Sequence, residues 1–185
     1  MVDKENLRLE VLSAARTLFM SNGYESVGMR DIAQAVGQQP TQVYRLKLSK
    51  SDILAELILE LNATQIERLP QITSQITKGN LLEKVSDYLE QLYQFDIEHL
   101  PLRKVGAAHG WSWSEEYETK NNEQVRHLIS PIASWIQEAG LDGVQSRCIG
   151  IFSLYYVGFR GAVIRKSSAA DCLKMIQPSL TYLCK

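Results

Sequence analysis

Cysteine is scarce in this chain of 185 residues: it has only Cys148, Cys172 and Cys184, which show neither paired nor metal-ligand spacing. An odd number of cysteines without a paired pattern argues against a disulfide framework and is typical of reduced thiols in a cytoplasm. The N-terminus also lacks the basic and apolar regions of a secretion signal. We therefore expect a cytoplasmic protein whose cysteines are largely structural.

Long hydrophobic runs are missing as well. The longest apolar stretch, residues 149–164, contains Arg160 and is too short to span a membrane comfortably. Hydrophobic residues make up 45% of the chain and charged residues 22%, enough for a real core and a solvated surface. The composition predicts a soluble protein of one large or two small domains, without a membrane partner.

Signatures of catalysis and metal binding do not occur either. His99, His109 and His127 lack the i, i+4 spacing of a helical metal pair, and no cysteine pair accompanies them. The sequence contains no nucleophile elbow, phosphate-binding glycine loop or dinucleotide fingerprint. A solvated helix end explains the acidic residues 115–118. We expect no metal, no cofactor and no enzyme activity.

The chain does contain a helix-turn-helix pattern near its N-terminus. A first helix from about Met29 to Val36 would bury Ile32 and Val36, one turn apart on one face. Ala33 must be small because a second helix crosses beside it. Gly37 can end this helix in a conformation that a side chain would disfavour. A first helix that ends in a tight turn is the first half of a DNA-binding motif.

The second helix of the motif would begin at Pro40, because a proline at the first helical position loses no hydrogen bond. Val43 and Leu46, three residues apart, would face inward. The remaining side chains would point outward, as a helix lying in the major groove requires; they are Thr41, Gln42 and Arg45. An ordinary pair of small packed helices is the alternative interpretation.

Charge distribution favours a DNA partner even though the whole chain has a net charge of −1. Between residues 30 and 50, four basic residues stand against one acidic residue, Asp31. Phosphate binding needs a local basic surface and not a basic chain. Glutamine can pair bidentately with adenine and arginine with guanine, so the outward residues are suited to reading bases.

Residues 11–54 resemble the DNA-binding region of TetR-type (tetracycline-repressor-like) transcriptional regulators. The residues that carry the resemblance are Ala14-Ala15, Leu18-Phe19, Gly23-Tyr24, Arg30-Asp31-Ile32-Ala33, Gly37, Val43-Tyr44 and Ser49-Lys50. The resemblance implies a homodimer that binds a double-stranded DNA operator and answers to a small-molecule effector. It also implies a set of DNA-binding residues, with Tyr44 and Lys50 on phosphates: Arg30, Gln39, Thr41, Gln42, Tyr44, Arg45, Lys47 and Lys50.

The sequence departs from the family pattern at several points. Gly28 stands where Ser or Thr usually caps the second helix, and glycine is a slightly weaker cap. Gln38 and Gln39 stand near the turn, where the family usually has Val-Ser. Lys47 stands where an aromatic residue usually closes the small core, so Leu46 or Leu48 would have to substitute for it. The base preference therefore cannot be copied from a relative.

Beyond Lys50 the chain is expected to continue as helices, giving an all-α fold of about nine helices. We predict a helix-turn-helix DNA-binding domain over residues 1–49 and a helical effector-binding and dimerisation domain over residues 50–185. The fourth helix, roughly residues 51–69, would belong partly to each domain. Breaks are expected near Pro70, Gly79-Asn80, Leu100-Pro101, Asn121-Asn122, Gly140 to Gly143 and Ser167-Ser168.

The segment 142–166 carries two apolar stripes when it is drawn as a helix, so it must satisfy two partners. We expect the stripe with the small residues to pack against a second copy of the chain, helped by the last helix. This resembles the four-helix dimer interface of the family. The expected interface residues are Ile151, Leu154, Gly158, Ala162, Leu173, Ile176 and Leu180. A central core helix of a monomer is the alternative.

The other stripe would face an effector pocket within each subunit. His109, Trp113 and Tyr117, spaced four residues apart, would share a helix face and join it. Such a lining suits an apolar or flat aromatic effector. The expected ligand-binding residues are His109, Trp113, Tyr117, Trp135, Phe152, Tyr155 and Phe159. Aromatic residues at helical spacing can equally be ordinary core.

The sequence predicts a ligand-responsive transcriptional regulator, by resemblance a repressor, that binds a near-palindromic operator as a homodimer and is released by its effector. Two other functions stay open. One is a constitutive DNA-binding regulator without an effector. The other is a helical ligand-binding or enzymatic protein whose N-terminal motif no longer reads DNA.

Overall fold

A computed structural model describes residues 4–185 and is all-helical over that range, which confirms the expected fold class. Ten α helices are present, against about nine expected, together with one short 3₁₀ helix, Gly110–Ser112. The α helices are α1 Lys4–Asn22, α2 Met29–Ala35, α3 Pro40–Tyr44, α4 Lys50–Glu67, α5 Leu69–Gln75, α6 Leu81–Glu98, α7 Leu100–His109, α8 Glu115–Glu138, α9 Val144–Arg165 and α10 Ala169–Leu183.

The described chain forms two compact units, of which the first holds residues 4–61 and Pro101–Asn121. Its core contains the inward residues of α1, and Val11 and Ala15 have no exposed surface. Ile32 and Ala33 of α2 are also fully buried, and Val43 of α3 is 1% exposed. The apolar stripe of α4 is buried as well: Ile53, Leu54, Leu57, Ile58 and Leu61.

The second unit holds residues Asn62–Leu100 and Asn122–Lys185. The helix α10 packs against both α9 and α6, and the fully buried Tyr93 and Ile151 lie in the shared core. Reciprocal caps fix two helix starts. The Asn80 side chain accepts from the Glu83 backbone N–H, and the Ser168 side chain accepts from that of Asp171. The cap at Ser168 also lowers the pKa of Asp171, because the Ser168 hydroxyl and N–H both donate to its carboxylate.

One expectation about a helix end was wrong. The helix α8 runs without interruption through Asn121 and Asn122, where a break was expected. The break lies earlier, because α7 ends at His109 and the 3₁₀ helix and a short extended stretch precede α8. The functional division at residues 49 and 50 stays a prediction, since the packing units place the first two thirds of α4 with the N-terminal helices.

By length and composition alone, α9 could cross a membrane. This is weak evidence, because the core helix of a soluble protein passes the same test. Seven residues of α9 are buried against other parts of the chain, among them Ile151, Tyr155 and Phe159. In all, 39% of the apolar window of α9 is buried, so this helix packs into the core along one side.

Candidate nucleic-acid interface and effector site

The turn between α2 and α3 is closed by backbone hydrogen bonds around Gly37. The Gly37 N–H donates to the Gln34 carbonyl at 3.0 Å, and the Gln38 N–H donates to the Ala33 carbonyl at 2.9 Å. Gly37 has φ +64°, a left-handed conformation that glycine adopts without a side-chain penalty. This pair of bonds is the Schellman pattern of a helix end, and it leads directly into α3.

The helix α3 presents a polar surface on the side away from the core. Gln39, Thr41, Tyr44 and Arg45 are exposed, while Gln42 is half-buried. Pro40 occupies the first turn of α3, as the sequence predicted. None of these polar side chains makes a hydrogen bond or ion pair with another described residue, so their donors and acceptors are free to contact a ligand.

Basic groups extend this surface beyond α3. Arg30 of α2 and Lys47, which follows α3, are both exposed and also have no hydrogen-bonding or ionic partner among residues 4–185. The one nearby acid, Asp31, accepts a 2.7 Å hydrogen bond from the Gly28 N–H at the start of α2. Its carboxylate therefore serves as a helix cap, and the cations Arg30, Arg45 and Lys47 remain available to phosphates.

Lys50 differs from these free cations. Its Nζ donates to the carbonyl oxygens of Tyr24 at 2.9 Å and Val27 at 3.0 Å. The same ammonium lies 4.1 Å from the centroid of the Tyr24 ring. Lys50 is the first residue of α4, and the sequence motif could not show that its side chain turns back onto the loop between α1 and α2.

Lys47 has a left-handed backbone, with φ +58°, and its side chain is exposed. The neighbouring Leu46 is buried, and Leu48 is half-buried. Leucine side chains therefore fill the place where the family pattern has an aromatic residue. Ser49 then opens α4 with a capping box: Asp52 Oδ2 accepts from the Ser49 N–H at 2.8 Å, and the Asp52 N–H donates to Ser49 Oγ.

Three of the expected effector-binding residues lie in the first unit, but they do not share one helix face. His109 ends α7, Trp113 lies in the extended stretch, and Tyr117 belongs to α8. The expectation of a common face was wrong because the 3₁₀ helix interrupts the helical spacing. Whether any of these three residues binds an effector stays a prediction.

Each of these residues has a defined environment within the first unit. The His109 ring lies 5.0 Å from the Tyr24 ring, and its Nε2 is 3.3 Å from Glu25 Oε1. The Tyr117 hydroxyl donates to Glu56 Oε1 at 2.8 Å. Trp113 is half-buried, and its indole N–H is buried without a hydrogen-bond acceptor among the residues that the structure describes.

The other four expected effector-binding residues lie in the second unit. Trp135 and Phe159 are buried and Phe152 is half-buried. The Tyr155 ring stacks on Tyr93 with centroids 4.3 Å apart. These side chains pack within the unit's own core, so they contribute to its stability whether or not an effector binds beside them.

The sequence did not predict that two carboxylates, those of Glu56 and Asp96, are buried. Asp96 accepts a 2.7 Å hydrogen bond from the Tyr155 hydroxyl, and Glu56 pairs with Arg8 of α1 at 2.6 Å. Burial raises the pKa of Tyr93, with a smaller contribution from Cys172 and from Asp96. The one available clue was position: Asp96 follows Leu92 and Tyr93 by one turn, on the inward face of α6.

Most residues expected at a dimer interface are buried inside the protomer. Ile151 and Leu180 have no exposed surface, Leu154 is half-buried, and the rest are buried: Gly158, Ala162, Leu173 and Ile176. The buried ones pack against the chain's own helices, so a second copy could not contact them without a rearrangement, whereas Leu154 keeps part of its surface accessible. The same two helices expose a different set of apolar residues: Ile149, Tyr156, Val157, Ile164, Met175 and Tyr182.

No group of three or more His, Cys, Asp or Glu side chains within residues 4–185 is arranged to hold a metal ion. The free surface of α2 and α3 is polar and basic, which suits an anionic polymer with readable base edges. The geometry therefore indicates a nucleic-acid interface at the N-terminal motif.

Comparison with known proteins gives the same result for this segment. Residues 11–57 match the sequence model for bacterial regulatory proteins of the tetR family. No curated protein matches the chain by sequence.

Solved structures share the fold over nearly the whole length. A candidate TetR-family transcriptional regulator from Mesorhizobium loti is 17% identical, with a TM-score of 0.68, 99% of this chain covered and 97% of that chain. The transcriptional regulator FadR from Bacillus subtilis, in complex with stearoyl-CoA, is 22% identical, with a TM-score of 0.66 and coverage of 96% and 97%. A candidate fatty acid metabolism regulator from Clostridium perfringens is 15% identical, with a TM-score of 0.65 and coverage of 92% and 96%.

Proposed function

Because this chain belongs to the tetR family of bacterial regulatory proteins, we propose that it is a cytoplasmic homodimeric repressor that a small effector releases from its operator. Its family membership makes it a transcriptional regulator with a helix-turn-helix DNA-binding domain. One observation carries the proposal. Seven side chains on α2, α3 and the flanking turns have no hydrogen-bonding or ionic partner within the described chain, and all but the half-buried Gln42 are exposed: Arg30, Gln39, Thr41, Gln42, Tyr44, Arg45 and Lys47.

We assign the bases and the phosphates to different residues of this surface. Gln39, Thr41, Gln42 and Arg45 would approach base edges in the major groove, where glutamine recognises adenine and arginine recognises guanine. Arg30, Tyr44 and Lys47 would contact the DNA backbone. A dimer would place two recognition helices in successive major grooves about 34 Å apart, so the operator would be a near-palindrome.

The dimer is proposed to form through the exposed apolar face of α9 and α10. Ile149 is 60% exposed, Val157 51% and Ile164 64%, and three further apolar residues extend the face. Large apolar side chains grouped on neighbouring helices are unusual on a monomer and typical of an interface. The proposed interface therefore differs from the one predicted from the sequence, which used the stripe that is now seen to be largely buried.

The effector is proposed to be a small apolar or aromatic molecule. FadR of Bacillus subtilis, which shares the fold, was solved with stearoyl-CoA, and this supports a ligand with a long apolar part. The effector would favour a conformation in which the recognition helices are wrongly spaced, with α4 as the helix that carries the change. A hundredfold preference between the two conformations corresponds to about 2.7 kcal/mol.

A constitutive regulator without an effector is the second candidate. The observation that favours it is the burial of Trp135, Tyr155 and Phe159 within the core of the second unit. Residues packed in this way can be ordinary core and leave no requirement for a ligand. In either case the relatives that define the family are transcription factors, and we propose no enzyme activity for this chain.

The substitution Arg45→Ala tests the proposed reading of DNA, with Arg126→Ala as its control because Arg126 is an exposed arginine of α8, outside both proposed interfaces. We expect Arg45→Ala to weaken binding to a duplex selected by the wild-type protein by about 1–3 kcal/mol per half-site and to relax the base preference at one position of each half-site. Arg126→Ala should leave both unchanged. Equal affinity and equal base preference in the Arg45 variant would contradict base readout by α3.

A further inference from the structure

The loop between α1 and α2, residues 23–28, is held from one side by Lys50. We infer that Lys50 is a positioning residue for this loop and does not bind a DNA phosphate, and that Lys47 supplies the phosphate contact at this corner of the domain. The inference rests on the proposed operator binding. It departs from the role that the family resemblance implies for Lys50.

Two of the three N–H donors of Lys50 are already used. They point to the carbonyl oxygens of Tyr24 and Val27, at 2.9 and 3.0 Å. The ammonium also lies over the Tyr24 ring, 4.1 Å from its centroid, which is favourable for a cation. These contacts hold the ammonium against the loop, so a phosphate could reach only the third N–H unless it displaced them.

The loop that Lys50 holds leads directly into the DNA-binding helices. Tyr24 is buried, and its ring packs edge-on against Phe19 with centroids 5.0 Å apart. Gly28 follows Val27, and its N–H is capped by Asp31 in the first turn of α2. Because α3 packs on α2, a loose loop would leave the recognition helix less ordered in the free protein. The helix would then have to become ordered on binding, and this would lower the affinity for DNA.

Lys47 is placed in the opposite way. Its side chain is exposed, it has no hydrogen-bonding or ionic partner in the described chain, and it follows α3 directly. Its left-handed backbone turns the chain sharply after Leu46, which is buried. The Lys47 ammonium can therefore approach a phosphate without giving up an internal contact.

Salt dependence separates the two roles. Each lysine is changed to methionine, which keeps the apolar stem and removes the charge. Affinity is measured from 50 to about 300 mM salt with a duplex that the wild-type protein enriches from a random pool, and also with a fixed mixed-sequence duplex. Lys47→Met should reduce the slope of log affinity against log salt by about 1.8, since a dimer loses two phosphate contacts that contribute about 0.9 each. Lys50→Met should weaken binding about tenfold at every salt concentration without changing the slope.

A slope that falls by about 1.8 in Lys50→Met would overturn the inference, as would wild-type affinity in that variant. A wild-type slope in Lys47→Met would overturn the assignment of the phosphate to Lys47. Failure of the proposed function is a separate result: the wild-type protein would enrich no duplex, while the slopes on the mixed-sequence duplex could still be compared.

A second substitution keeps the test valid if Lys50→Met folds poorly. Tyr24→Leu removes the ring beneath the ammonium and retains an apolar side chain. It should weaken binding with an unchanged salt slope, and its effect should be less than additive with that of Lys50→Met. Full additivity would overturn the inference. Thermal unfolding of each variant shows that affinity is measured on folded protein.

Discussion

The hydroxyl of Tyr117 donates a 2.8 Å hydrogen bond to Oε1 of Glu56 and so joins the start of α8 to the middle of α4. Glu56 is only 8% exposed, and its other oxygen pairs with Arg8 of α1 at 2.6 Å. Burial raises the pKa of Tyr117, and the hydrogen bond to Glu56 raises it further by a smaller amount. This cluster ties together three segments of the first unit that are far apart in sequence.

Removing the hydroxyl should therefore destabilise the protein. Tyr117→Phe takes away a donor and leaves a buried carboxylate oxygen short of one hydrogen bond. We expect the free energy of unfolding to fall by about 1–3 kcal/mol. Urea unfolding in the absence of DNA measures the loss, with Tyr44→Phe as control because Tyr44 is 55% exposed and has no hydrogen-bonding partner among the described residues. Equal stability of the two variants would contradict a structural role for the bond.

Gly158 should tolerate no side chain. A Cβ at this position would lie 2.1 Å from the Tyr93 hydroxyl oxygen and 3.0 Å from the Cys172 carbonyl oxygen. The Tyr93 hydroxyl is fixed by a 2.9 Å hydrogen bond to the Tyr155 carbonyl, so it cannot move without losing that bond. We expect Gly158→Ala to cost about 1–3 kcal/mol of stability, as overpacking does.

Gly110→Ala is the matched control for this change, since nothing lies within 4 Å of a Cβ built there. It should leave the melting temperature close to that of the wild type. If Gly158→Ala instead kept full stability and only weakened dimerisation, Gly158 would face a second copy, as the sequence first suggested.

A charge on the exposed face of α9 should prevent dimerisation. Val157→Glu places a carboxylate where the proposed interface is apolar, and burying an unpaired charge there is costly. We expect this variant to be monomeric at micromolar concentration in size-exclusion chromatography with light scattering, while the wild type is dimeric. Leu9→Glu adds the same charge at an exposed apolar position of α1 and should stay dimeric. A monomeric wild type would contradict the dimer, and a dimeric Val157→Glu would move the interface elsewhere.

The thiols should react slowly in the folded protein. Burial raises the pKa of Cys184 to about 11, although Arg147 opposes the shift, and burial also raises the pKa of Cys148 and Cys172. Only the thiolate is nucleophilic, so alkylation of Cys184 at pH 7.5 should be far slower than that of the unfolded chain. Its rate should rise about tenfold per pH unit until the pH nears 11. Mass spectrometry after labelling at pH 7.5 under native conditions measures these rates. Rapid labelling of all three cysteines would contradict this packing.

The N-terminal motif could be predicted because its determinants are local. Gly37 closes the end of α2 with a left-handed backbone, Pro40 opens α3, and Ser49 caps α4 with Asp52. Each of these signals depends on residues only a few positions away, so a sequence alone carries them. The exposed polar side of α3 follows from the same spacing.

The effector and dimer residues could not be assigned in the same way. Helical spacing identified two apolar stripes on α9, but it could not show that the protomer's own helices bury Ile151 and Tyr155 alike. His109 and Tyr117 have the spacing of one helix face, yet the 3₁₀ helix between them breaks that face. Which partner covers an apolar residue is a tertiary property and is not encoded in periodicity.

Selection from a random duplex DNA pool at about 150 mM salt, followed by sequencing, tests the proposed function most directly. We predict that the wild-type protein enriches a site with two-fold symmetry, with half-sites one helical turn or a multiple of it apart. Enrichment of no sequence, together with binding that disappears steeply as salt rises, would reduce the interaction to phosphate attraction. That result would contradict a sequence-reading dimer.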